Sequence, residues 1–462
     1  LAFAPNAFCP LYTGPLMAVN PGWWEHVDAY VTEAWLRLAQ DHADLDSTTL
    51  VCKWLRALGI PGVLLITGQH MPFWHAPIAS QEMRLHAAVA KGNGRPILGP
   101  CGVGAYPSAA THQEGLRTMR QANEFYTADA PTDSTREPAR YIGVVWSEDS
   151  RNFYEPGEGA SGYRYEFLGI CRALTESHRV FNLLLPDRLH SAQDLAGYEL
   201  IIMPNTACMD EPLANLIREY VRGGGRLLCT WETSLCDRRG GQRDDFLLAD
   251  VLGLRYSGKY PTPAFYVERE DEPTVALGQA TIVTPTTAET LARLVAPDPD
   301  YPDSLDDLIP GPLTEHPMLT VNRFGQGVAW YVAGPIACSA YRTGYYQTMQ
   351  LIEEIIGRTG LSAWMTVSAP PTVEVSVERD AGGRLYVHLA NKTAPAYLPG
   401  RAITRSIDTL IPVADVRLTF DGHGTARCVS PVDGKVTVTH STDRVECTIP
   451  RLDDYLLLEV TL

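Results

Sequence analysis

The hydrophobic and polar residues change pattern twice along the chain, which divides it into three regions. In the first region, to about residue 135, apolar runs at 62–66 and 96–99 alternate with segments at 23–40, 80–92 and 110–126 that predict helices. Apolar runs alternating with helices are typical of a parallel sheet. Only two or three strands are visible here, fewer than the eight that close a βα barrel.

The second region, 136–364, repeats the strand–helix alternation after a linker rich in Pro, Ser and Thr. It predicts a doubly wound sheet with helices on both faces. The helix that begins near residue 211 is stopped by three glycines at 223–225, which follow a helix and so cannot form a phosphate loop. The third region, 365–462, alternates at period two and predicts an antiparallel β-sandwich of six to eight strands.

Charge and composition restrict the classes of ligand that the protein can bind and the compartment in which we expect it. Among 462 residues there are 38 Lys and Arg against 54 Asp and Glu, so the formal net charge is −16. That balance argues against nucleic acid, whose recognition needs a basic face. No apolar run approaches the roughly 20 residues that span a bilayer. None of the ten cysteines lies in a zinc-binding spacing. We therefore expect a soluble, cytoplasmic protein with buried reduced thiols, a neutral ligand, and no metal or cofactor.

The best candidate for a binding site follows the apolar run at 62–66. Gln69, His70, Trp74 and His75 come shortly after this predicted strand. In a βα barrel, such residues line the active site. An aromatic ring can stack on a sugar while polar side chains bind its hydroxyls. These four residues are therefore predicted to bind a carbohydrate; the alternative is a loop whose aromatic side chains pack on a neighbouring part of the chain.

Glu82 is the only nearby carboxylate that we select as a catalytic candidate. It lies in the first turn of the helix predicted at 80–92. A Glu at that position more often stabilises the helix N-terminus. A glycosidase also needs a second carboxyl group at a defined separation, which a sequence alone cannot measure.

The second region can also be searched for a nucleophile. Cys208 and Cys229 lie near predicted strand ends, but neither has the flanking glycines that a strained strand-to-helix turn requires. One hypothesis for this region is nevertheless an amidotransferase-like hydrolase. It requires a His within hydrogen-bond reach of Cys208 or Cys229.

The residues of the second region resemble a known family. RYIGVVWSEDSRNFYEPG at 140–157, the segment 195–237 with YELIIMPN and GGGRLLCTWETS, and FGQGVAWYVAG at 324–334 are similar to the β-galactosidase trimerisation domain of family 42 glycoside hydrolases. That domain resembles class I glutamine amidotransferases without their catalytic triad. The third region resembles the C-terminal β-domain of the family.

This resemblance implies an α/β architecture with three parts. Residues 1–135 would be the C-terminal portion of a TIM-type barrel, 136–364 the amidotransferase-like trimerisation domain, and 365–462 a C-terminal β-sandwich. It implies a trimer, and an N-terminal half of the barrel that precedes Leu1 or comes from a companion chain.

The resemblance also leaves two functions open. The family nucleophile, a Glu at the end of barrel strand seven, would fall near Thr67, and the acid/base Glu would precede Leu1. One hypothesis is a glycoside hydrolase that acts on a neutral oligosaccharide or glycoside. The other is a non-catalytic carbohydrate-binding or oligomer-assembly protein that has lost the nucleophile.

Overall fold

The chain folds into two compact units in a computed structural model. The first unit comprises Leu1–Ala139, Thr175–Val180 and Ala363–Leu462, and the second comprises Arg140–Leu174 and Phe181–Ser362. The structure describes residues 4, 9, 11, 26–34, 46–67, 69–70, 73–101, 112–128, 136–154, 162–299, 309–394, 407–431, 434–441 and 443–462. The predicted mixed α/β class is confirmed, whereas the division into three domains stays a prediction.

The N-terminal part of the first unit contains a small parallel sheet with helices between its strands. Its elements are β1 (Tyr30–Ala34), α1 (Ser47–Leu58), β2 (Gly62–Thr67), β3 (Gln69–His70), β4 (Phe73–Pro77), α2 (Ser80–Gly92), β5 (Ile97–Cys101), α3 (Gln113–Thr127) and β6 (Glu137–Pro138). Strands β1, β2 and β5 are parallel neighbours in that order. Helix α1 ends at Gly59, whose φ of +70° is a left-handed conformation that glycine adopts without strain.

The helix predicted at 23–40 is wrong within the residues described there. Tyr30–Ala34 is a strand, paired in register with β2 from Tyr30↔Gly62 to Ala34↔Ile66. The segment YVTEA contains Tyr, Val and Thr, which favour strands because their side chains pack well on a pleated surface. The ring of Tyr30 packs edge-on against Trp54 of α1, with centroids 5.1 Å apart. Tertiary packing therefore overrides the helical spacing of the apolar residues.

The second unit is built on one sheet of nine strands. Its elements are β7 (Ile142–Val145), α4 (Gly162–Glu176, whose last two residues belong to the first unit), β8 (Phe181–Leu184), β9 (Leu200–Met203), α5 (Glu211–Arg222), β10 (Arg226–Thr230), α6 (Ala249–Leu252), β11 (Leu254–Lys259), β12 (Ala264–Val267), β13 (Thr274–Leu277), β14 (Thr281–Pro285), β15 (Glu289–Pro297), β16 (Pro310–Phe324), β17 (Gly327–Val332), α7 (Ile336–Thr343) and α8 (Tyr346–Arg358). The sheet order is β13-β12-β15-β16-β17-β10-β9-β7-β8, and β11 pairs with β14 separately.

The parallel half of this sheet has a doubly wound order. Strands β8, β7, β9, β10 and β17 are parallel neighbours, so the order reverses between β7 and β9. Helix α5 begins where the Asp210 carboxylate accepts a hydrogen bond from the Leu213 N–H, and it ends at Arg222 before the glycines. The predicted doubly wound strands therefore form, and the less regular stretch between β10 and β17 supplies antiparallel strands.

The C-terminal part of the first unit consists of two antiparallel sheets. Its strands are β18 (Met365–Ser368), β19 (Val373–Arg379), β20 (Leu385–Asn391), β21 (Val413–Asp421), β22 (Thr425–Ser430), β23 (Thr437–His440), β24 (Arg444–Leu452) and β25 (Tyr455–Thr461). One sheet has the order β18-β21-β24-β23, and the other has the order β22-β25-β20-β19-β6.

Helix α2 joins the two parts of the first unit. Its residues Leu85, Ala88 and Val89 share a buried core with Tyr386 of β20 and Leu457 of β25. The C-terminal end of the helix lies close to the sheet, because a Cβ at Gly92 would come within 2.3 Å of the Ser376 hydroxyl. In the described part of the chain, no helix is both long and apolar enough to cross a membrane.

Candidate functional site

The predicted sugar-binding residues lie at the carboxyl end of the small parallel sheet. Strand β2 ends at Thr67, which pairs with Cys101 at the end of β5. Directly after it, β3 and β4 form an antiparallel pair, in which Gln69 lies opposite Pro77 and His70 opposite Phe73. The segment is therefore a short hairpin at the edge where βα proteins place their ligands.

This hairpin contains all four residues predicted to bind a carbohydrate. Gln69 and His70 form β3, and Trp74 and His75 belong to β4. Their side chains lie outside the described part of the structure, as does that of Thr67. Their roles stay predictions, based on the backbone position that the sheet gives them.

Glu82 lies in the first turn of α2 and is 4% exposed. Its Oε2 accepts a hydrogen bond of 2.9 Å from the backbone N–H of Ile407. The helix N-cap, Ala79, receives no side-chain capping bond. The carboxylate thus contacts the backbone of the C-terminal part of the unit, which is a positioning contact, and its catalytic role stays a prediction.

A buried ionic cluster that the sequence analysis missed lies between α1, α2 and β19. The Lys392 ammonium is 3.0 Å from the Glu374 carboxylate and also pairs with Asp46. Thr49 donates to Glu374 Oε2 at 2.5 Å, and Asn93 donates to Oε1 at 2.6 Å. Burial opposes ionisation of Glu374, but the Lys392 charge and these donors outweigh it and hold its pKa below the usual value.

A second buried cluster lies beside the first, around Glu378 on the same face of β19. Arg56 of α1 donates to Glu378 Oε1 at 3.0 Å, and His388 Nε2 lies 3.4 Å from Oε2. The other ring nitrogen of His388 is 2.7 Å from the Tyr455 hydroxyl. Burial lowers the pKa of His388. The signal in the sequence was weak, because Glu374 and Glu378 alternate with Val in a pattern typical of a solvated strand face.

Both clusters act as structural contacts. The Glu374 carboxylate is paired with Lys392 and accepts further hydrogen bonds, and the Glu378 carboxylate is paired with Arg56, so neither is a free acid or a free nucleophile. Removing one member of such a buried pair leaves an uncompensated charge and strongly destabilises a protein. The clusters therefore fix α1 and α2 to the sheet that contains β19 and β20.

The strand ends of the second unit test the amidotransferase hypothesis. The left-handed residues there are Asn205 (φ 39°) after β9 and Trp231 (φ 54°) after β10, neither of which is a cysteine. Burial raises the pKa of Cys208 to about 12, and it also raises the pKa of Cys229. A nucleophilic cysteine needs a lowered pKa, because the thiolate is the reactive form. The backbone geometry and the raised pKa values therefore do not support a thiol nucleophile at Cys208 or Cys229.

Buried, hydrogen-bonded residues lie at the point where the sheet order reverses. Ligands of doubly wound proteins usually bind at this point, here between the ends of β7 and β9. Ser150 is fully buried there, and its hydroxyl accepts a hydrogen bond of 2.9 Å from the Cys208 N–H. Glu148 accepts from the Trp146 indole at 2.7 Å, and burial raises its pKa to about 7. Among the described residues, Ser150 and Glu148 are therefore buried at this point of the sheet.

An ion pair lies at the end of β10. Glu232, which is 2% exposed, lies 2.6 Å from the Lys259 ammonium and accepts from the Tyr154 hydroxyl at 2.5 Å. Its backbone N–H donates to the Asn205 side chain. Within the described ranges, no group of three or more His, Cys, Asp or Glu residues is placed to hold a metal ion.

Comparison with known proteins identifies the second unit. A family model described as the β-galactosidase trimerisation domain matches residues 184–362. The matched segment is thus similar to a domain of the family 42 glycoside hydrolases. A curated relative, β-galactosidase Bga of Halorubrum lacusprofundi, is 24% identical over 269 residues, which cover 56% of this chain and 34% of that protein. The chain thus spans about a third of the length of this curated relative.

Solved structures show the same relationship at the level of the fold. α-L-Fucosidase isoenzyme 2 from Paenibacillus thiaminolyticus matches with a TM-score of 0.74 and 16% identity, over 95% of this chain and 66% of that one. The β-galactosidase from Bacillus circulans sp. alkalophilus matches with a TM-score of 0.68 and 17% identity, over 95% and 61%. The fold shared with these two proteins therefore extends well beyond the segment that the family model matches.

Proposed function

We propose that this chain is the C-terminal part of a family 42-type glycoside hydrolase that acts on a neutral oligosaccharide or glycoside. The observation that carries the proposal is the trimerisation-domain match at 184–362 within a fold similar to two glycosidases over 95% of the chain. The net charge of −16 agrees with a ligand that carries no negative charge.

Within this proposal, residues 1–135 are the last part of a TIM-type barrel, 136–364 are the amidotransferase-like trimerisation domain, and 365–462 are a β-sandwich. The parallel order β1-β2-β5 supports the barrel assignment. The β3–β4 hairpin supplies Gln69, His70, Trp74 and His75 to the sugar, and Glu82 is the carboxylate to test. The partners are a carbohydrate and two further copies, or a companion chain that supplies the rest of the barrel. The compartment is the cytoplasm.

The test combines turnover with sugar binding. The chain is assayed alone and with an N-terminal extension of roughly 200–300 residues that completes a barrel of about 250 residues, using a panel of neutral aryl glycosides. We expect hydrolysis by the extended form, and loss of sugar affinity in calorimetry when Trp74→Ala removes the stacking ring. Glu82→Gln should reduce turnover if the carboxylate is catalytic and leave it unchanged if it only positions Ile407. Neither turnover nor binding in any form would overturn the proposal.

The second candidate function is a non-catalytic carbohydrate-binding or assembly protein. The observation that favours it is Thr67 at the end of β2, where family resemblance places a nucleophilic Glu. This function predicts sugar binding or trimer formation with no hydrolysis by the extended form. Trp74→Ala would then weaken binding while the solution mass stays the same. Measurable turnover that depends on an ionisable residue of the hairpin edge would exclude it.

A further inference from the structure

Two cysteines of the second unit lie directly opposite each other. Cys208 follows β9 and Cys236 follows β10, and the two residues pair across a parallel β-bridge. The Cys236 N–H donates to the Ala207 carbonyl at 2.9 Å, and the Cys236 carbonyl accepts from the Met209 N–H at 3.1 Å. The backbone of Cys236 is thus bonded to both neighbours of Cys208, which places the two cysteines in register on adjacent segments.

This bridge sets the separation of the two residues. Paired segments of a sheet lie about 4.7–4.9 Å apart, and opposite residues point their side chains to the same face. Disulfides join residues whose Cα atoms are about 4.4–6.8 Å apart. Burial is the main cause of the raised pKa of Cys208, and the charge of Cys236 is the next, as expected for neighbouring thiols. A bond between the two sulfur atoms can therefore form by rotation of the side chains.

Hydrogen bonds hold the backbone on both sides of the pair. The Cys208 N–H, which points away from Cys236, donates to the Ser150 hydroxyl at 2.9 Å. The Arg243 guanidinium donates to the Cys236 carbonyl and, at 3.0 Å, to the Met209 carbonyl. Both cysteines are therefore fixed in the paired arrangement before any bond joins their sulfur atoms.

An exposed turn lies next to the pair. Cys208 and Cys236 are 2% and 4% exposed, but residues 237–239, 241 and 242 are all exposed. A backbone hydrogen bond from Gly240 to the Cys208 thiol, which acts to lower the pKa of Cys208, places this turn against the pair. One short turn therefore separates the two thiols from solvent, so a small oxidant needs only a local opening to reach them.

We propose that Cys208 and Cys236 form a reversible redox site, which hydrogen peroxide oxidises to a disulfide between the connections that follow β9 and β10. One thiolate attacks the peroxide, a sulfenic acid forms, and hydroxide leaves. The second thiolate attacks that sulfur, the S–S bond forms, and the sulfenic oxygen leaves as a second hydroxide. The two thiol protons convert both hydroxides to water, so two thiols and one peroxide give one disulfide and two waters.

Burial sets the speed of this oxidation, and the cross-link changes the stability of the unit. Burial raises the pKa of Cys208 to about 12 and that of Cys236 to about 11, and only the thiolate reacts. The oxidation should therefore be slow at pH 7 and accelerate about tenfold for each pH unit below these values. Because a disulfide restricts the unfolded chain more than the folded one, the oxidised second unit should be the more stable form.

The experiment treats the folded chain with hydrogen peroxide at pH 7, 8 and 9, removes the peroxide with catalase, and alkylates the remaining thiols in denaturant. We expect the loss of two of the ten thiols and a cross-linked pair of peptides that contain Cys208 and Cys236 in mass spectrometry. The rate should rise about tenfold per pH unit. Dithiothreitol should restore both thiols and reverse an increase in the urea midpoint of the second unit.

Single variants show whether the pair is responsible. Cys208→Ala and Cys236→Ala should form no disulfide, and an unchanged melting temperature in reductant shows that each variant is folded. Cys229→Ala is the matched control, because Cys229 is a buried thiol of the same unit whose pKa is also raised by burial. That variant should still form the cross-link.

Three results would overturn the redox site. The first is a folded parent that keeps all its thiols at pH 9 while the urea-unfolded chain is oxidised. The second is a sulfinic or sulfonic acid at Cys208 or Cys236 without a cross-link, and the third is a cross-link between other cysteines. Glycoside turnover and sugar binding are measured separately, so none of these results bears on the proposed function.

Discussion

Two buried carboxylates, one in each unit, have pKa values shifted in opposite directions. In the first unit, the pKa of Glu374 lies below its usual value, since Lys392, Thr49 and Asn93 all contact the carboxylate. In the second unit, burial raises the pKa of Glu166 to about 7, although its Oε2 accepts a 2.7 Å hydrogen bond from the Cys338 N–H. Backbone donors and the Thr230 side chain therefore do not offset desolvation at Glu166, whereas the Lys392 ammonium and its neighbouring donors do so at Glu374.

The distance between the carboxylate and its cationic neighbour also matters. Glu148 of the second unit also has a cationic neighbour, but the Arg151 guanidinium lies 3.6 Å from its Oε2. Burial still raises the pKa of Glu148 to about 7. A close pair with several donors, as at Glu374, keeps a buried carboxylate ionised, and a longer contact does not. Glu374 of the first unit and Glu148 of the second unit thus have pKa values shifted in opposite directions.

Removing the cation should have the largest effect. Lys392→Met leaves Glu374 and Asp46 buried without their shared partner, and we expect a loss of about 3–5 kcal/mol in the free energy of unfolding of the first unit. Urea unfolding at pH 7 measures it. Lys435→Met is the control, because that lysine is exposed. If both variants shift the urea midpoint equally, the ionic cluster does not hold the unit together.

The pH dependence of the second unit should depend on Glu166. Its folded pKa of about 7 lies above the ordinary 4.5, so its stabilising contribution is complete below pH 4.5 and is lost as pH rises through 7. At about 1.4 kcal/mol per pKa unit, the change amounts to roughly 3 kcal/mol. Glu166→Gln should remove it. Melting curves of parent and variant from pH 4.5 to 8 provide the measurement, and parallel curves would contradict the raised pKa.

In the first unit, melting curves should show a contribution to stability that decreases as the pH falls, the opposite of the effect of Glu166. Burial lowers the pKa of His388, so the unfolded chain takes up a proton before the folded chain as pH falls below 6.5. The stability due to His388 is therefore complete above pH 6.5 and decreases as pH falls through the lowered pKa. His388→Gln should flatten this acid limb. An unchanged acid limb in that variant would assign the effect to another group.

A smaller loss of stability should come from crowding the contact between α4 and α7, which lies close to Glu166. A Cβ added at Gly169 of α4 would lie 2.1 Å from the Ala337 carbonyl oxygen, which is backbone and cannot rotate away. Gly169→Ala should destabilise the second unit by about 1–3 kcal/mol. Gly357→Ala in α8 is the matched control, since nothing lies within 4 Å of its added Cβ. That variant should gain up to about 1 kcal/mol. Equal melting temperatures for the two variants would rule out the close helix contact.

The sequence predicts the regular elements well where local pattern and tertiary packing agree. The helix predicted at 80–92 is α2, and the six period-two segments of the third region become strands β19–β21 and β23–β25. The prediction from sequence fails at Tyr30–Ala34, where pairing with β2 makes the segment a strand. It also misses the antiparallel strands between β10 and β17, which have no strong alternation of their own.

The functional residues are harder to predict than the fold. The candidates Gln69, His70, Trp74 and His75 follow from their place after a strand, which is a local property. The ionic cluster around Lys392 joins residues more than 280 positions apart, so no local pattern marks it. Glu82 shows the same limit, because its partner Ile407 is 325 residues away. Long-range polar contacts are visible only once the chain is folded.

The discontinuity of the first unit has a consequence for synthesis. Thr49 and Glu374 make a hydrogen bond across 325 residues. At about 5–20 residues per second, a ribosome needs roughly 16–65 seconds to make the chain between them. During that interval the apolar faces of α1 and α2 lack the sheet on which they pack, while all of residues 140–362 emerge and can fold. The acidic chain must therefore keep its own N-terminal helices from aggregating until β19 and β20 leave the ribosome.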